Sequence, residues 1–462
     1  MIKDAAEAEN SYIWKAIRDH NRRNRANYHT PAHKGSAECL APLAGVLGLD
    51  LTELPDTGSL FDGEGATAQA EAFAAGVFKT AATFMSAGGC TLCVQAMLRI
   101  AAPRGGKVIC GRVIHRSAVN AMALLGIDPV WVEPDRSAGP GFAGRITGEA
   151  VGAALEKNPD AKAVYITTPD YFGVLSDINA ISLCAREYAV PVIVDNAHGA
   201  HLPFIDDAYS PLARGAAMSA DSAHKTLPVL TGGAWLNIAS ADFAAGARDA
   251  LSLFGSTSPS YPIMLSLDLC ARWLADGGPA ALRALAAEIA QLKVFAESLG
   301  FELPAGECDP LRIAFHTGRF GLDGREAAEL LRQNGVEPEY AGPAGAALIP
   351  SPFNTPADFE ALRGALEAIS RRPAVKSLPR FFHTGLPETA MSPREALLCD
   401  KETVAAENAV GRVAAQTVCP CPPAIPAIIP GEVIGRQTLR VFEDYGIRNI
   451  AVVKSGFSHY NK

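Results

Sequence analysis

The sequence is short of charge. Of 462 residues, 19% are Asp, Glu, Lys or Arg, and 41 basic against 49 acidic side chains leave a net charge of −8. A nucleic-acid binder carries a basic footprint, so nucleic acid is not an expected partner. The shortage is not that of a disordered chain, because 48% of the residues are hydrophobic, enough for a large core. Cysteine is also scarce, with ten in the chain, which excludes a disulfide scaffold. Two close pairs stand out, Cys90/Cys93 and Cys419/Cys421, but more than 300 residues separate them. A zinc site needs two such pairs, or histidines, at ligand spacing. The cysteines are therefore read as small buried residues in a reducing cytosol, and no metal is expected. No apolar run approaches the roughly 18 residues of a membrane span. The N-terminal MIKDAAEAENSYIWKAIRDHNRRNR is charged throughout and lacks the apolar segment of a signal peptide. The expected location is the cytoplasm, with no membrane partner.

What the sequence does have is alternation. Residues 10–25 predict a short amphipathic helix, and TELPDTGSLFDGEG (52–65) reads as an irregular arm. From 66 onward, short apolar strands alternate with helices: CTLCVQAMLRIA helix, KVICG strand, SAVNAMALLG helix, DPVWVE strand. TGEAVGAALEKNP is a helix with Thr147 as N-cap and Glu149 in its first turn. AKAVYITTP, PVIVDNAHGA and GGAWLNIA complete the strands, with the second ending at Asp195. Continuous apolar strands between helices imply an α/β fold around a mainly parallel sheet covered on both faces. A long helix at 279–300 follows, then a compact strand–helix set to about 370, a linker RRPAVKSLPR, a capped helix start at Ser392–Pro393, and the proline-rich VCPCPPAIPAIIPGEVIG. Four segments are expected: an N-terminal arm (1–65), a large domain (66–280), a small α/β domain (281–372) and a C-terminal α+β segment (373–462).

The chemistry centres on Asp195 and Lys225. Asp195 closes the strand VIVD, and ligands of open α/β sheets bind outside the carboxyl ends of strands. Lys225 lies 30 residues later in SADSAHKTL, among small polar residues. A lysine so placed suits a Schiff base with a phosphorylated aldehyde. Pyridoxal phosphate needs that lysine, a carboxylate for its pyridinium nitrogen, and hydroxyl and N–H donors for its phosphate. Either residue alone is a weak signal, since Asp195 also suits a metal ligand, a helix cap or a ribose contact.

The stretches TPAHKGS (30–36), LTELPDTGSL (51–60), FMSAGGCTLC (84–93), GRVIHRSAVNA (111–121), VYITTPDYFGVLSDI (164–178), PVIVDNAHGAH (191–201), SAHKTLPVLTGGAWL (222–236) and PPAIPAIIPGEVI (422–434) together resemble the Orn/Lys/Arg decarboxylase family, in its short form without an N-terminal wing domain. The resemblance implies a fold type I pyridoxal-phosphate enzyme, aspartate-aminotransferase-like, with a seven-stranded-type sheet. It implies a homodimer or higher homo-oligomer with sites at subunit boundaries, and a role in polyamine biosynthesis. Lys225 would form the internal aldimine, Asp195 would pair with the pyridine nitrogen, Ala197 would pack on one ring face and His115 on the other. Ser222 and His224 would reach the phosphate or the aldimine region, and His224 joins Lys225 and His115 as a catalytic candidate. Gly88, Gly89, Cys90 and Thr91 would form the phosphate loop at a helix start. His198 and Glu432 are substrate candidates, His201 a structural histidine, and His33 and Lys34 parts of the arm. Two departures stand out. The family places Ser or Thr after the first loop glycine, where this chain has Gly89 and Cys90, and it reads Asp-Glu-Ala-His where this chain has Asn196.

The reaction implied is decarboxylation of arginine, lysine or ornithine to the amine, through the Lys225 aldimine and a quinonoid. An aminotransferase on the same fold is the rival, with Arg312 as its carboxylate clamp. A catalytically silent regulatory homologue is the third reading.

Overall fold

A computed structural model describes residues 10–139, 141–375, 385–419 and 426–454. The expected linker from 376 to 380 and the proline-rich residues 420–425 lie outside the described residues. Seven strands make up the main sheet: β1 (Ala82–Ser86), β2 (Gly106–Gly111), β3 (Ile127–Val132), β4 (Ala163–Thr167), β5 (Val192–Asp195), β6 (Met218–Asp221) and β7 (Ala234–Ile238). Two smaller sheets use β8 (Ile313–His316), β9 (Tyr340–Ala341) and β10 (Gly345–Leu348), and β11 (Lys401–Ala405) with β12 (Asn449–Val453). The chain divides into two compact units, Met1–Ile100 with Ile193–Arg283, and Ala101–Val192 with Ala284–Lys462.

The first unit contains strands in the neighbour order β1-β7-β6-β5. Strands β5 and β6 run parallel, with Asp195 opposite Ala220. Strand β7 is antiparallel to both β6 and β1. Helices Gly65–Phe78 and Tyr261–Ala275 pack on one another and on β1. The edge of Phe78 meets Trp235 of β7 at 4.9 Å between ring centroids, and burying such a side chain contributes about 1.5–3 kcal/mol. Helix Tyr12–Arg22 forms where the amphipathic pattern predicts one, burying Ile13 and Ile17. Ser11 caps it, accepting from the Trp14 N–H, and donates in turn to the buried Asp268 at 2.7 Å.

The second unit contains β4-β2-β3, all parallel. Helix Gly148–Lys157 starts at Thr147, whose hydroxyl accepts from the Ala150 N–H, and has Glu149 in its first turn, as expected from sequence. Helix Gly324–Gln333 opens on a capping box of Asp323 and Glu326. Its first residue approaches β10 so closely that a Cβ on Gly324 would sit 1.9 Å from the Gly345 carbonyl oxygen, a packing only glycine permits. A separate cluster of Ile428, Ile434, Phe442, Ile450 and Val452 covers the β11–β12 ribbon.

The sequence pattern yields most strands of the main sheet but misses several elements, among them β1, β6, helix Tyr261–Ala275, β11 and β12. Strands β1 and β6 are short and carry buried polar side chains, so they lack an apolar run. The helix is apolar almost all round because it is buried, which erases the amphipathic stripe. Strands β11 and β12 pair across more than 40 residues, a separation that local pattern does not encode. Among the described residues, no helix is long and apolar enough to cross a membrane.

Candidate active site

The first unit brings together most of the residues singled out from the sequence. Strand β5 delivers Asp195 at its carboxyl end, 3% exposed. Its Oδ1 accepts from the Ala197 N–H at 3.2 Å, an Asx-type turn that fixes the carboxylate where the strand stops. The Cys90 sulfur lies 4.0 Å from the same oxygen. Burial first, and then the Asp195 charge, hold the Cys90 thiol well above its ordinary pKa, so it stays protonated. Cys93, one turn along the same helix, is pushed up to about 12, chiefly by burial.

Strand β6 ends at Asp221, and the chain turns at once into Ser222–Lys225. Lys225 Nζ lies 3.1 Å from His198 Nε2. The two nitrogens are at hydrogen-bonding distance, with the donor and acceptor roles set by the histidine tautomer. His224 Nδ1 lies 3.2 Å from the Gly233 carbonyl, which fixes it as the donor there, and 3.4 Å from the buried Ser222 hydroxyl. Ala197 is buried, and His201 is wholly buried.

The loop between β1 and helix Gly89–Ala101 is built by its own polar groups. The Ser86 hydroxyl accepts from the Gly88 N–H at 3.2 Å and donates to the Gly89 carbonyl at 2.9 Å. The Gly89 N–H is taken by the Gly232 carbonyl at 2.8 Å. Gly89 has φ +72°, and a Cβ there would meet nothing within 4 Å, so the backbone faces open space. Gly88 and Gly89 thus shape the loop, while the helix N-terminus continues with Cys90 and the exposed Thr91.

His115, Glu432 and Arg312 belong to the second unit. His115 caps helix Arg116–Leu125: its Nδ1 accepts from the Ser117 N–H at 3.2 Å and lies 2.8 Å from the Ser117 hydroxyl. Glu432 meets Arg112 in a two-point pair at 2.6 and 2.8 Å, with the side chains 1% and 3% exposed. It also accepts from the Ile429 N–H at 2.9 Å. Arg312 is buried with its guanidinium 5.8 Å from the Tyr171 ring centroid.

An ordered Asp and Lys beside a glycine-shaped helix start, within one unit of a mainly parallel sheet, narrow the field. The sequence decides it, matching the major domain of the Orn/Lys/Arg decarboxylases over residues 12–295 and their C-terminal domain over 376–446. The chain belongs to the Orn/Lys/Arg decarboxylase family. An arginine decarboxylase of Bacillus anthracis is 30% identical over 449 residues, covering 92% of this chain and 91% of that protein. Among solved structures, lysine decarboxylase A from Pseudomonas aeruginosa superposes with a TM-score of 0.79 at 19% identity, covering 97% of this chain and 81% of the other. L-threonine transaldolase from Pseudomonas fluorescens, in its internal aldimine state, has a TM-score of 0.54 at 14% identity, with 75% of each chain covered. The fold is therefore the α/β fold of type I pyridoxal-phosphate enzymes, as the resemblance implied, and the reaction class of the family is decarboxylation of basic amino acids.

Sequence pattern alone does not single out Ser86, Ser219, Asp221 or Asn237. Each is a buried polar residue inside a strand or at its end. The available signal was Asp221, a carboxylate four residues before Lys225.

Proposed function

We propose that this chain decarboxylates arginine to agmatine, with pyridoxal 5'-phosphate held between Asp195 and Lys225. The observation that carries the reading is the convergence, in one unit, of a buried carboxylate at the end of β5, a lysine paired with a histidine, and an open helix start. The substrate choice follows the similarity to an arginine decarboxylase over more than nine-tenths of both chains.

The residues fit the cofactor. The buried carboxylate of Asp195 suits a cationic ring nitrogen, and Ala197 offers an apolar methyl beside it. Gly89 leaves room where an anion would approach. The N–H groups of Cys90 and Thr91 and the Thr91 hydroxyl are the donors for a phosphate, assisted by the helix dipole. Thr91 supplies the hydroxyl that Gly89 and Cys90 cannot. Ser222 completes the cofactor set within this unit. When bound, the cofactor supplies an electron sink for the bond broken at the substrate's α-carbon.

The chain's own residues then have distinct tasks. Lys225 Nζ would be the atom that holds the cofactor. His198 Nε2, 3.1 Å away, is placed to accept a proton from Nζ or return one to it. His224 holds the turn through Gly233, so that Nζ keeps its position. The α-carboxylate is best held without a cationic clamp, because leaving as carbon dioxide discharges it. Glu432 is assigned a structural role rather than a substrate one, since Arg112 already occupies its carboxylate. We read the arm, the domain boundaries expected from sequence, and assembly as a homo-oligomer in the cytoplasm as further parts of this proposal.

The test is a panel of arginine, lysine and ornithine with product identification. The expected result is agmatine with one carbon dioxide, lost by roughly 10³-fold or more in Lys225→Ala. A keto acid with pyridoxamine phosphate would replace this reading with transamination. Protein that takes up no cofactor would favour a silent homologue.

A further inference from the structure

Asp221 is one of the buried ionisable groups that the mechanism leaves unused. Asp221 closes β6, is 2% exposed, and stands directly before the Ser222–Lys225 turn. Its carboxylate is held by three neutral side chains. Oδ1 accepts from Asn196 Nδ2, and Oδ2 accepts from the Ser219 hydroxyl at 2.6 Å and Asn237 Nδ2 at 3.0 Å. Asn237 Oδ1 in turn accepts from the Thr83 hydroxyl at 2.6 Å. Thr83 and Ser219 are both register partners of Asn237, so the four side chains form a ladder across β1, β7 and β6. The ladder ends on Asn196, the neighbour of Asp195. Among the described residues, no cation pairs with Asp221.

Asn196 occupies the place where the family reads glutamate. In this chain a carboxylate stands on the adjacent strand as Asp221, and the Asn196 amide donates to it. We propose that Asp221 is a positioning residue of the cofactor site, a carboxylate that orients Asn196 and adds negative charge near Asp195. The proposal rests on the reading that this unit binds pyridoxal phosphate. Its effect on the cofactor is electrostatic: an anion near Asp195 favours a protonated ring nitrogen in a buried setting where charges are weakly screened.

The groups around Asp221 make the effect depend on pH. Burial, opposed by the Ser219, Asn196 and Asn237 hydrogen bonds and reinforced by the Asp195 charge, pushes its carboxyl up to about 6. Cys90 and Cys93, from the helix packed here, stay protonated well above neutrality. On helix Gly65–Phe78, Glu71 is occupied by Arg248 and the Met85 N–H. Lys225 and His198 follow on the next turns and pair with each other. Asp221 is therefore neutral below about pH 6 and anionic above it.

The experiment measures pyridoxal phosphate affinity and the visible absorption of the bound cofactor from pH 5 to 8. It compares the wild type, Asp221→Asn, and the exchange Asn196→Asp with Asp221→Asn. Wild-type affinity should tighten as pH rises through about 6. Asp221→Asn should flatten that step and weaken binding about tenfold at pH 8. The exchange, which restores one donor facing one acceptor with the charge at 196, should recover both. Melting of the cofactor-free proteins checks that each variant folds. Lowered melting with an unchanged affinity profile would reduce Asp221 to packing and overturn the proposal. Failure of folded wild type to bind cofactor at any pH would instead overturn the reading of the site, and the proposal with it.

Discussion

Two buried carboxylates, one in each unit, are held in opposite ways. In the second, Glu432 is closed by a two-point ion pair with Arg112, which also lies over the Trp131 ring at 4.8 Å. In the first, Asp221 is surrounded by hydroxyl and amide donors and has no cationic partner among the described residues. A carboxylate matched to a guanidinium has spent its charge inside the protein, because breaking the pair strands the other ion. A carboxylate satisfied only by neutral donors keeps its field for something else. That contrast separates a structural acid from one placed to act on a bound cation, and it argues against giving Glu432 the substrate.

The largest test of the contrast is Glu432→Ala, which leaves Arg112 buried without a counter-charge. Stability should fall by about 3–5 kcal/mol in chemical denaturation. The double change Arg112→Leu with Glu432→Leu should recover most of it, and no recovery would mean that the pair does more than fill space.

A second prediction concerns pH. Asp170, in the second unit, is buried and pushed up to about 7, first by burial, with the Val174 N–H opposing. Its folded pKa lies above its unfolded one, so it binds a proton more tightly when folded. The stability it contributes is full below about pH 4 and is lost as pH rises through about 7. Melting temperatures of wild type should therefore decline against those of Asp170→Asn across that window. Parallel curves would show that Asp170 remains ionised in the fold.

The smallest expected effect is Ser392→Ala. It removes the hydroxyl that accepts from the Glu395 N–H at 3.2 Å and should cost about 1 kcal/mol. Cofactor affinity should not change, which makes it a control for stability effects on the site.

Much of this was legible in the sequence for physical reasons. The caps at Thr147 and Ser392 rest on local hydrogen bonds, and local chemistry predicts them. Asp195 was legible because an apolar strand stops at it. The antiparallel setting of β7 was not, since strand direction within a sheet depends on partners far along the chain. Nor was the role of Asp221: a polar residue in the four-residue strand MSAD gains meaning only once Asn196, Ser219 and Asn237 surround it. Gly88 and Gly89 illustrate the same limit. Their types suggest N–H donors for a phosphate, while the fold assigns those N–H groups to Ser86 and Gly232.

The central claim is that the first unit, through Lys225, carries the cofactor. Protein loaded with pyridoxal phosphate, reduced with borohydride and digested for peptide mass mapping, tests it most directly. A single pyridoxyl group is expected, on the peptide containing Lys225 and absent from Lys225→Ala. A label on Lys293 or another lysine, or no covalent label on cofactor-saturated protein, would contradict it.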